Sequence, residues 1–369
     1  MSELYIGLMS GTSMDGIDAV LVDIAKTKLT IVTTHQEPLP QQLKQELLSL
    51  CVPGPNEINR MGQLDNQIGL LFAHTANKLI EKSSLDKSQI KAVGSHGQTI
   101  RHHPQAIFPF TLQIGNPNII ATETGVTTVA DFRRRDMAYG GEGAPLVPAF
   151  HAWMFHSNKE DRAVINIGGI TNITILNRDA KKDIIGFDLG PGNTLLDSWI
   201  YHIQQLPYDD AGKWAATGHI HTDLLNKLLA DAYFHIPPPK STGREHFNLV
   251  WLQTALQQYG KSIKSEDVQA TLVELTSILI SNALCTYLPK CSVLLCGGGT
   301  YNHYLRERII KNATGYRFHS TEKLGIAPQW IEAAAFAWLA RQTLKGLPGN
   351  IPSVTGARAS AILGGIYLS

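Results

Sequence analysis

Tyr5-Ile-Gly-Leu-Met-Ser-Gly-Thr-Ser-Met-Asp-Gly-Ile-Asp-Ala-Val-Leu-Val-Asp-Ile24 decides the fold. Residues 5–9 read as a strand, 10–16 as a tight polar turn and 17–24 as a returning strand. The pattern recurs about 160 residues later, with a strand over 163–167, the turn Gly168-Gly-Ile-Thr-Asn172 and a return over 173–176. Helical and strand patterns follow each hairpin. After the first, Leu43, Leu47, Leu48 and Cys51 share one helical face, as do Met61, Leu64, Ile68, Leu71, Phe72 and Leu79. After the second, 184–189 is a strand ending in Gly190-Pro-Gly-Asn193, and a helix then presents Leu195, Leu196, Trp199, Ile200 and Ile203 on one side. Residues 292–296 form an apolar strand entering Gly297-Gly298-Gly299, and an Ala-rich helix runs from Trp330. The period is too long for a solenoid and fits a duplicated α/β domain, with ligand sites at strand C-terminal ends.

Composition narrows the function. The 369 residues carry 32 Lys+Arg against 31 Asp+Glu, a net charge of +1. That excludes a strong global field for nucleic acid or an anionic membrane. Apolar residues make up 43% and charged residues only 17%, which argues for sizeable cores and against a long disordered tail. The length suggests about two domains. Cys51, Cys285, Cys291 and Cys296 form no Cys-x-x-Cys pair, so neither a zinc site nor a disulfide framework is expected. No basic-then-apolar leader opens the sequence, and no uninterrupted apolar run reaches the ~18 residues of a membrane helix. A soluble, cytoplasmic protein is expected.

The chemistry gathers at the turns. Gly11, Thr12, Ser13, Met14, Asp15, Gly16, Ile17 and Asp18 form a Gly/Ser/Thr-rich loop whose backbone N–H groups suit phosphate oxygens. Asp15 and Asp18 beside phosphate call for magnesium or its waters in between. An ordinary hairpin turn explains one such Asp-Gly loop taken alone. A second loop at Gly168 and Gly169, with the strand-end cluster Gly297, Gly298 and Gly299, suits a nucleotide gripped between two lobes. The P-loop, the dinucleotide fingerprint, the nucleophile elbow and the kinase catalytic loop are all absent; Lys240-Ser-Thr242 imitates a P-loop tail, but Pro239 stands where glycine is required. Asp188, at the end of an apolar strand before Gly190-Pro-Gly192, is the best candidate for a catalytic base. Asp197 reads as structural, and Glu332 either matches its helix dipole or serves the site. His96-Gly-Gln98-Thr99 and Arg133, in Asp131-Phe-Arg-Arg-Arg-Asp136, offer hydrogen bonds and a planar fork for a carboxylate or phosphate.

Taken in order, these segments resemble one family. They are 6–19, Ser95-His-Gly-Gln-Thr99, 130–136, 140–148, Asn166-Ile-Gly-Gly-Ile-Thr-Asn172, Phe187-Asp-Leu-Gly-Pro-Gly-Asn193, Pro239-Lys-Ser-Thr-Gly-Arg-Glu245, Cys296-Gly-Gly-Gly299 and 332–340. The family is anhydro-N-acetylmuramic acid kinase. Departures are Glu142 in place of Gln and Leu189 in place of Thr. The resemblance implies a two-lobed actin/sugar-kinase-like fold, a duplicated ribonuclease H-like α/β architecture with a central cleft. Lobe I is expected over 1–130, completed by the C-terminal helix, and lobe II over 131–369. It implies ATP and Mg2+ as cofactors and 1,6-anhydro-N-acetylmuramic acid as substrate, opened and phosphorylated in peptidoglycan recycling. Asp188 would be the base and Glu332 would hold sugar or water. Gln98, Thr99 and Arg133 would grip the sugar, residues 11–18 with Gly168 and Gly169 the phosphates, and Gly297–Gly299 the adenosine. No firm protein metal ligand is named, and a homodimer is expected. The rivals are an ATP-driven chaperone or filament protein on the same fold, for which no peptide domain is evident, and a glycoside hydrolase using Asp188 and Glu332 without nucleotide.

Overall fold

The computed structural model describes residues 3–11, 13–26 and 28–369. Among them the strands are β1 (Glu3–Ser10), β2 (Gly16–Ile24), β3 (Leu29–Pro38), β4 (Ile90–His103), β5 (Phe110–Ile114), β6 (Thr128–Ala130), β7 (Arg162–Ile167), β8 (Ile170–Leu176), β9 (Ile185–Pro191), β10 (Ser292–Cys296), β11 (Arg317–Ser320) and β12 (Gly365–Tyr367). The helices are α1 (Gln41–Leu50), α2 (Glu57–Ser83), α3 (Pro117–Thr124), α4 (Arg134–Ala138), α5 (Val147–Phe155), α6 (Asn193–Gln204), α7 (Thr222–Leu229), α8 (Leu249–Tyr259), α9 (Ser265–Tyr287), α10 (His303–Asn312), α11 (Ile331–Leu344) and α12 (Pro352–Thr355).

The chain divides into two compact units, Met1–Met154 with Trp330–Ser369, and Phe155–Gln329. In the first, the sheet order is β12-β6-β4-β1-β2-β3, with β5 paired to β4. β1, β2 and β3 run antiparallel in turn, while β4 lies parallel to β1 and β6 parallel to β4. In the second, the order is β11-β10-β7-β8-β9. Here β7, β8 and β9 are antiparallel in turn, β10 is parallel to β7 and β11 to β10. Each sheet therefore repeats one plan: a three-strand meander, then parallel strands on the other side of its first strand. Two such ribonuclease H-like units in one chain make the duplicated architecture of the actin and sugar-kinase class.

Sequence placed the lobe boundary at 130/131. The division falls after Met154, and the chain returns to the first unit at Trp330, with the C-terminal helix that the sequence reading assigns to lobe I. Two contacts cause this. β12 pairs antiparallel with β6, Tyr367 opposite Thr128. α11 lies directly on β1 and β4: a Cβ on Gly7 would sit 1.8 Å from the Ala333 carbonyl oxygen, and one on Gly94 2.1 Å from that of Phe336. Only glycine permits that approach of backbone to backbone.

The first unit's core joins Ile6, Leu8, Ile17 and Leu21 to the Leu64–Ile68–Phe72–Leu79 stripe of α2, at the helical spacing that predicted it. The second unit's core surrounds α9, buried on nearly every side. By length and composition α9 could cross a membrane, but 83% of its apolar window is buried within the protein, as in a core helix.

Candidate active site

In the first unit, the β1–β2 turn is built by its glycines and one left-handed residue. Met14 has φ 52°, and its N–H donates to the Gly11 carbonyl at 3.1 Å. A Cβ on Gly11 would meet nothing within 4 Å, so the turn is open there. Ser13 and Gly16 are half-buried in the same turn, whereas Thr12 lies outside the described residues. The Met14 and Ile17 side chains belong to the core and leave only backbone to offer a ligand. Ser10 Oγ lies 2.7 Å from Gln98 Oε1 and 3.0 Å from the Gly16 carbonyl. Buried Gln98 also donates to the Gly11 carbonyl at 3.4 Å. Gln98 thus holds the turn in place from β4.

The two turn aspartates differ. Asp15 is exposed and paired with Lys44 at 2.7 Å. Asp18 is half-buried and accepts from Gln36 Nε2 at 3.0 Å. Burial, and then the neighbouring Glu332 charge, push its carboxyl up to about 7. Glu332 sits in the first turn of α11, and the glycine-dependent seating of that helix brings the two acids together.

Thr99 Oγ1 accepts from Gln113 Nε2 at 3.1 Å. Arg133 donates from Nη1 to the Gly143 carbonyl at 2.8 Å, and from Nε and Nη2 to His96 Nε2 at 3.2 and 2.9 Å. His96 Nδ1 donates to the Gly97 carbonyl at 2.8 Å. Burial and then Arg133 push this histidine down to about 3, so it stays neutral and accepts from the arginine. A cavity of about 180 Å³ opens where β4 parts from β6 and β5, lined among others by Ser95, Gln113, Asp131, Arg134 and Tyr367. Arg134, not Arg133, reaches it. Asp136, fully buried, accepts from Gly143 N, Asn350 Nδ2 and Thr355 Oγ1, tying the 131–143 stretch to the C-terminal segment.

In the second unit, Asp188 lies near the end of β9, 7% exposed. Asn172 pairs with Asp188 while Thr171 pairs with Gly190, so Leu189 is an extra residue in β9. Such a bulge re-aims the neighbouring side chain. Thr242 N donates to Asp188 Oδ2 at 3.1 Å, Tyr233 Oη to its carbonyl at 2.7 Å, and its own N–H to the Lys240 carbonyl at 3.3 Å. Sequence reading missed Tyr233, and it singled out Lys240 only as a false P-loop tail and within a family motif.

The second turn is used differently from the first. The Gly169 carbonyl accepts from Gly192 N and Thr194 N, and the Gly168 carbonyl from Asn193 N, so the turn caps α6. Within 297–299, a Cβ on Gly297 would lie 2.3 Å from Asn166 Oδ1, and one on Gly299 2.3 Å from Ile167 Cγ2; Gly298 is exposed and has its nearest neighbour at 3.9 Å. Among the described residues, no group of three or more His, Cys, Asp or Glu is placed to hold a metal ion.

The family model for anhydro-N-acetylmuramic acid kinase matches residues 3–369. The chain belongs to the anhydro-N-acetylmuramic acid kinase family. It is a kinase, and its substrate is a small sugar. An anhydro-N-acetylmuramic acid kinase of Coxiella burnetii (strain Dugway 5J108-111) is 52% identical over 366 residues, covering 99% of this chain and 97% of the relative. One from Shewanella loihica is 51% identical over 363 residues, covering 98% of each. Among solved structures, a ROK family glucokinase from Streptomyces griseus in complex with glucose and AMPPNP aligns at 14% identity and TM-score 0.41, over 92% of this chain and 99% of that one.

Proposed function

We propose that this kinase uses ATP and water to convert 1,6-anhydro-N-acetylmuramic acid into N-acetylmuramic acid 6-phosphate and ADP, in the cytoplasm, as a step of peptidoglycan recycling, and that it works as a homodimer. The anhydro sugar has no free hydroxyl at carbon 6, because that oxygen bridges to carbon 1. Asp188 takes a proton from water, the water oxygen bonds to carbon 1, and the carbon 1–oxygen 6 bond breaks. Oxygen 6 then bonds to the γ-phosphorus while the bond to the β-phosphate oxygen breaks and ADP leaves.

The observation that carries this reading is Asp188: a buried carboxylate re-aimed by a β-bulge and held through three backbone-linked hydrogen bonds, in a chain half identical to named kinases of this sugar. Glu332 holds the sugar or orients the water. Thr99 and Arg133 bind sugar hydroxyls and the lactyl carboxylate, with Gln98 also holding the turn. The backbone of residues 11–18 takes the phosphates with Gly168 and Gly169, and the Gly297–Gly299 stretch, at open Gly298, lies against adenosine.

Mg2+ fits the donor set. Burial first, and the Glu332 charge second, push Asp18 toward neutrality, and a divalent cation would relieve both. With no cluster of three protein ligands among the described residues, Asp18 would hold the ion largely through water. When bound, the ion neutralises charge on the transferring phosphoryl group.

The test is turnover of ATP and the anhydro sugar in water enriched in heavy oxygen. The label is expected on carbon 1 of the product and absent from the phosphate. Sugar opening without nucleotide, or label in the phosphate, overturns the reading.

A further inference from the structure

The stretch from Asp231 to Trp251 does no chemistry in the reaction above, yet it wraps the proposed base. Its anchor is the Asp231 carboxylate, which accepts from Tyr233 N at 2.9 Å, Trp251 Nε1 at 2.8 Å and His246 Nε2 at 3.1 Å. Aromatic packing stiffens it: the Phe247 ring stacks at 4.3 Å on His246 and 5.3 Å on Phe234. Tyr233 is gripped at both ends. Its hydroxyl donates to the Asp188 carbonyl at 2.7 Å, and its own carbonyl accepts from Lys240 Nζ at 3.0 Å.

Lys240 is only 8% exposed. Its ammonium lies 4.5 Å from the centre of the Tyr233 ring and 5.7 Å from that of Phe187, the residue before Asp188. Its carbonyl accepts from Asp188 N at 3.3 Å, and two residues later Thr242 N meets Asp188 Oδ2 at 3.1 Å. A buried lysine is costly unless something nearby rewards its charge. Burial lowers this ammonium's pKa, and the Asp188 charge partly restores it.

We propose that Tyr233 and Lys240 form a clamp that positions the Asp188 carboxylate for proton abstraction, acting through Asp188 and not on substrate. This rests on Asp188 being the base. The clamp closes a loop from side chain to backbone and back: Tyr233 Oη fixes the strand, Lys240 fixes Tyr233, and the turn carrying Lys240 presents the N–H that orients the carboxylate. A misplacement of about 1 Å at such a group costs on the order of a hundredfold in rate.

The experiment is steady-state kinetics of the full chain with ATP, magnesium and 1,6-anhydro-N-acetylmuramic acid. The variants are Tyr233→Phe, Lys240→Met and the double variant, each also made with Asp188→Asn. Each single change is expected to lower kcat about tenfold or more, with both KM values within about twofold. The double variant should be little worse than the more severe single one, and once Asp188→Asn has removed the base neither change should lower the residual rate further. Tyr233→Phe removes one hydroxyl and keeps the fold testable if Lys240→Met does not fold. A kcat within twofold of wild type, a rise in KM at constant kcat, or independent multiplicative losses in the Asp188→Asn background overturns the clamp. Near-normal turnover of Asp188→Asn alone instead overturns the base assignment.

Discussion

The two hairpins that begin the two sheets have the same strand directions and the same place in their sheets, but their turns meet different surroundings. In the first, a Cβ on Gly11 would meet nothing within 4 Å, while on its far side the turn's Asp15 carbonyl accepts from Leu39 N just before α1 and the Asp15 carboxylate pairs with Lys44 in the first turn of that helix. In the second, the carbonyls of Gly168 and Gly169 accept three N–H groups at the start of α6. In both sheets the third strand returns to the turn and a helix follows: β3 ends at Pro38 opposite Gly16 with α1 from Gln41, and β9 ends at Pro191 opposite Ile170 with α6 from Asn193. The difference is that α6 sets its first N–H groups on the turn carbonyls, whereas α1 meets the turn through the Lys44 side chain. Repeating a fold repeats its hydrogen-bond ladder and core, and leaves the chemistry at the turns to the next element.

The same contrast holds at the helices. α11 meets β1 and β4 through Gly7 and Gly94, backbone against backbone, while α9 packs in the second unit through Val268, Leu272, Leu275 and Leu279 side chains. A methyl added at Gly7 is therefore the most damaging small change. Gly7→Ala is expected to destabilise the first unit by about 3 kcal/mol, because α11 must move off the sheet. Gly94→Ala should act the same way. Both are read by denaturant unfolding, and a loss below about 1 kcal/mol for both would show that α11 slides freely.

Glycines at the turns separate by the space around them. Gly11→Ala should leave the unfolding midpoint unchanged, since nothing lies within 4 Å, yet weaken ATP binding roughly tenfold by blocking close approach. Gly297→Ala, at φ 81° and 2.3 Å from Asn166 Oδ1, should instead destabilise the second unit. Calorimetric titration beside thermal unfolding distinguishes them; equal behaviour would erase the difference between an open turn and a packed one.

The smallest effect concerns Asp18. Its carboxyl is raised to about 7 in the folded chain, so the native state holds a proton that the unfolded state has already released. Stability of the ligand-free, metal-free protein should then fall as pH rises from roughly 4 through 7. Asp18→Asn removes that penalty. It should stabilise by about 1–2 kcal/mol at pH 8, discounted for half-exposure, and by nothing near pH 3. A pH-independent difference would mean that Asp18 titrates as an ordinary surface acid.

Much of this was legible in residue order. Alternating apolar residues around Gly/Ser/Thr turns announced both hairpins, and Asp188 stood out as a carboxylate at an apolar strand end. Other features were not legible, because they depend on partners distant in sequence. Asp136 looked like one bracket of a charged run, but its partners are Asn350 and Thr355. Arg133 reads as a planar fork for a carboxylate or phosphate, and nothing in residue order shows that His96 and Gly143 hold that fork in place. Lys240 resembled the tail of a different motif, and its meaning came from Tyr233 and Asp188.

Periodicity and turn composition were enough to establish a duplicated α/β chain with glycine-rich loops at its strand ends, since both are local properties of backbone and solvent. They could not say which glycines are open and which are packed. Gly7, Gly11, Gly94, Gly297 and Gly298 are the same letter, and the difference between them is the space a Cβ would enter. That space is filled or left empty by segments far away along the chain, so only the folded chain assigns it.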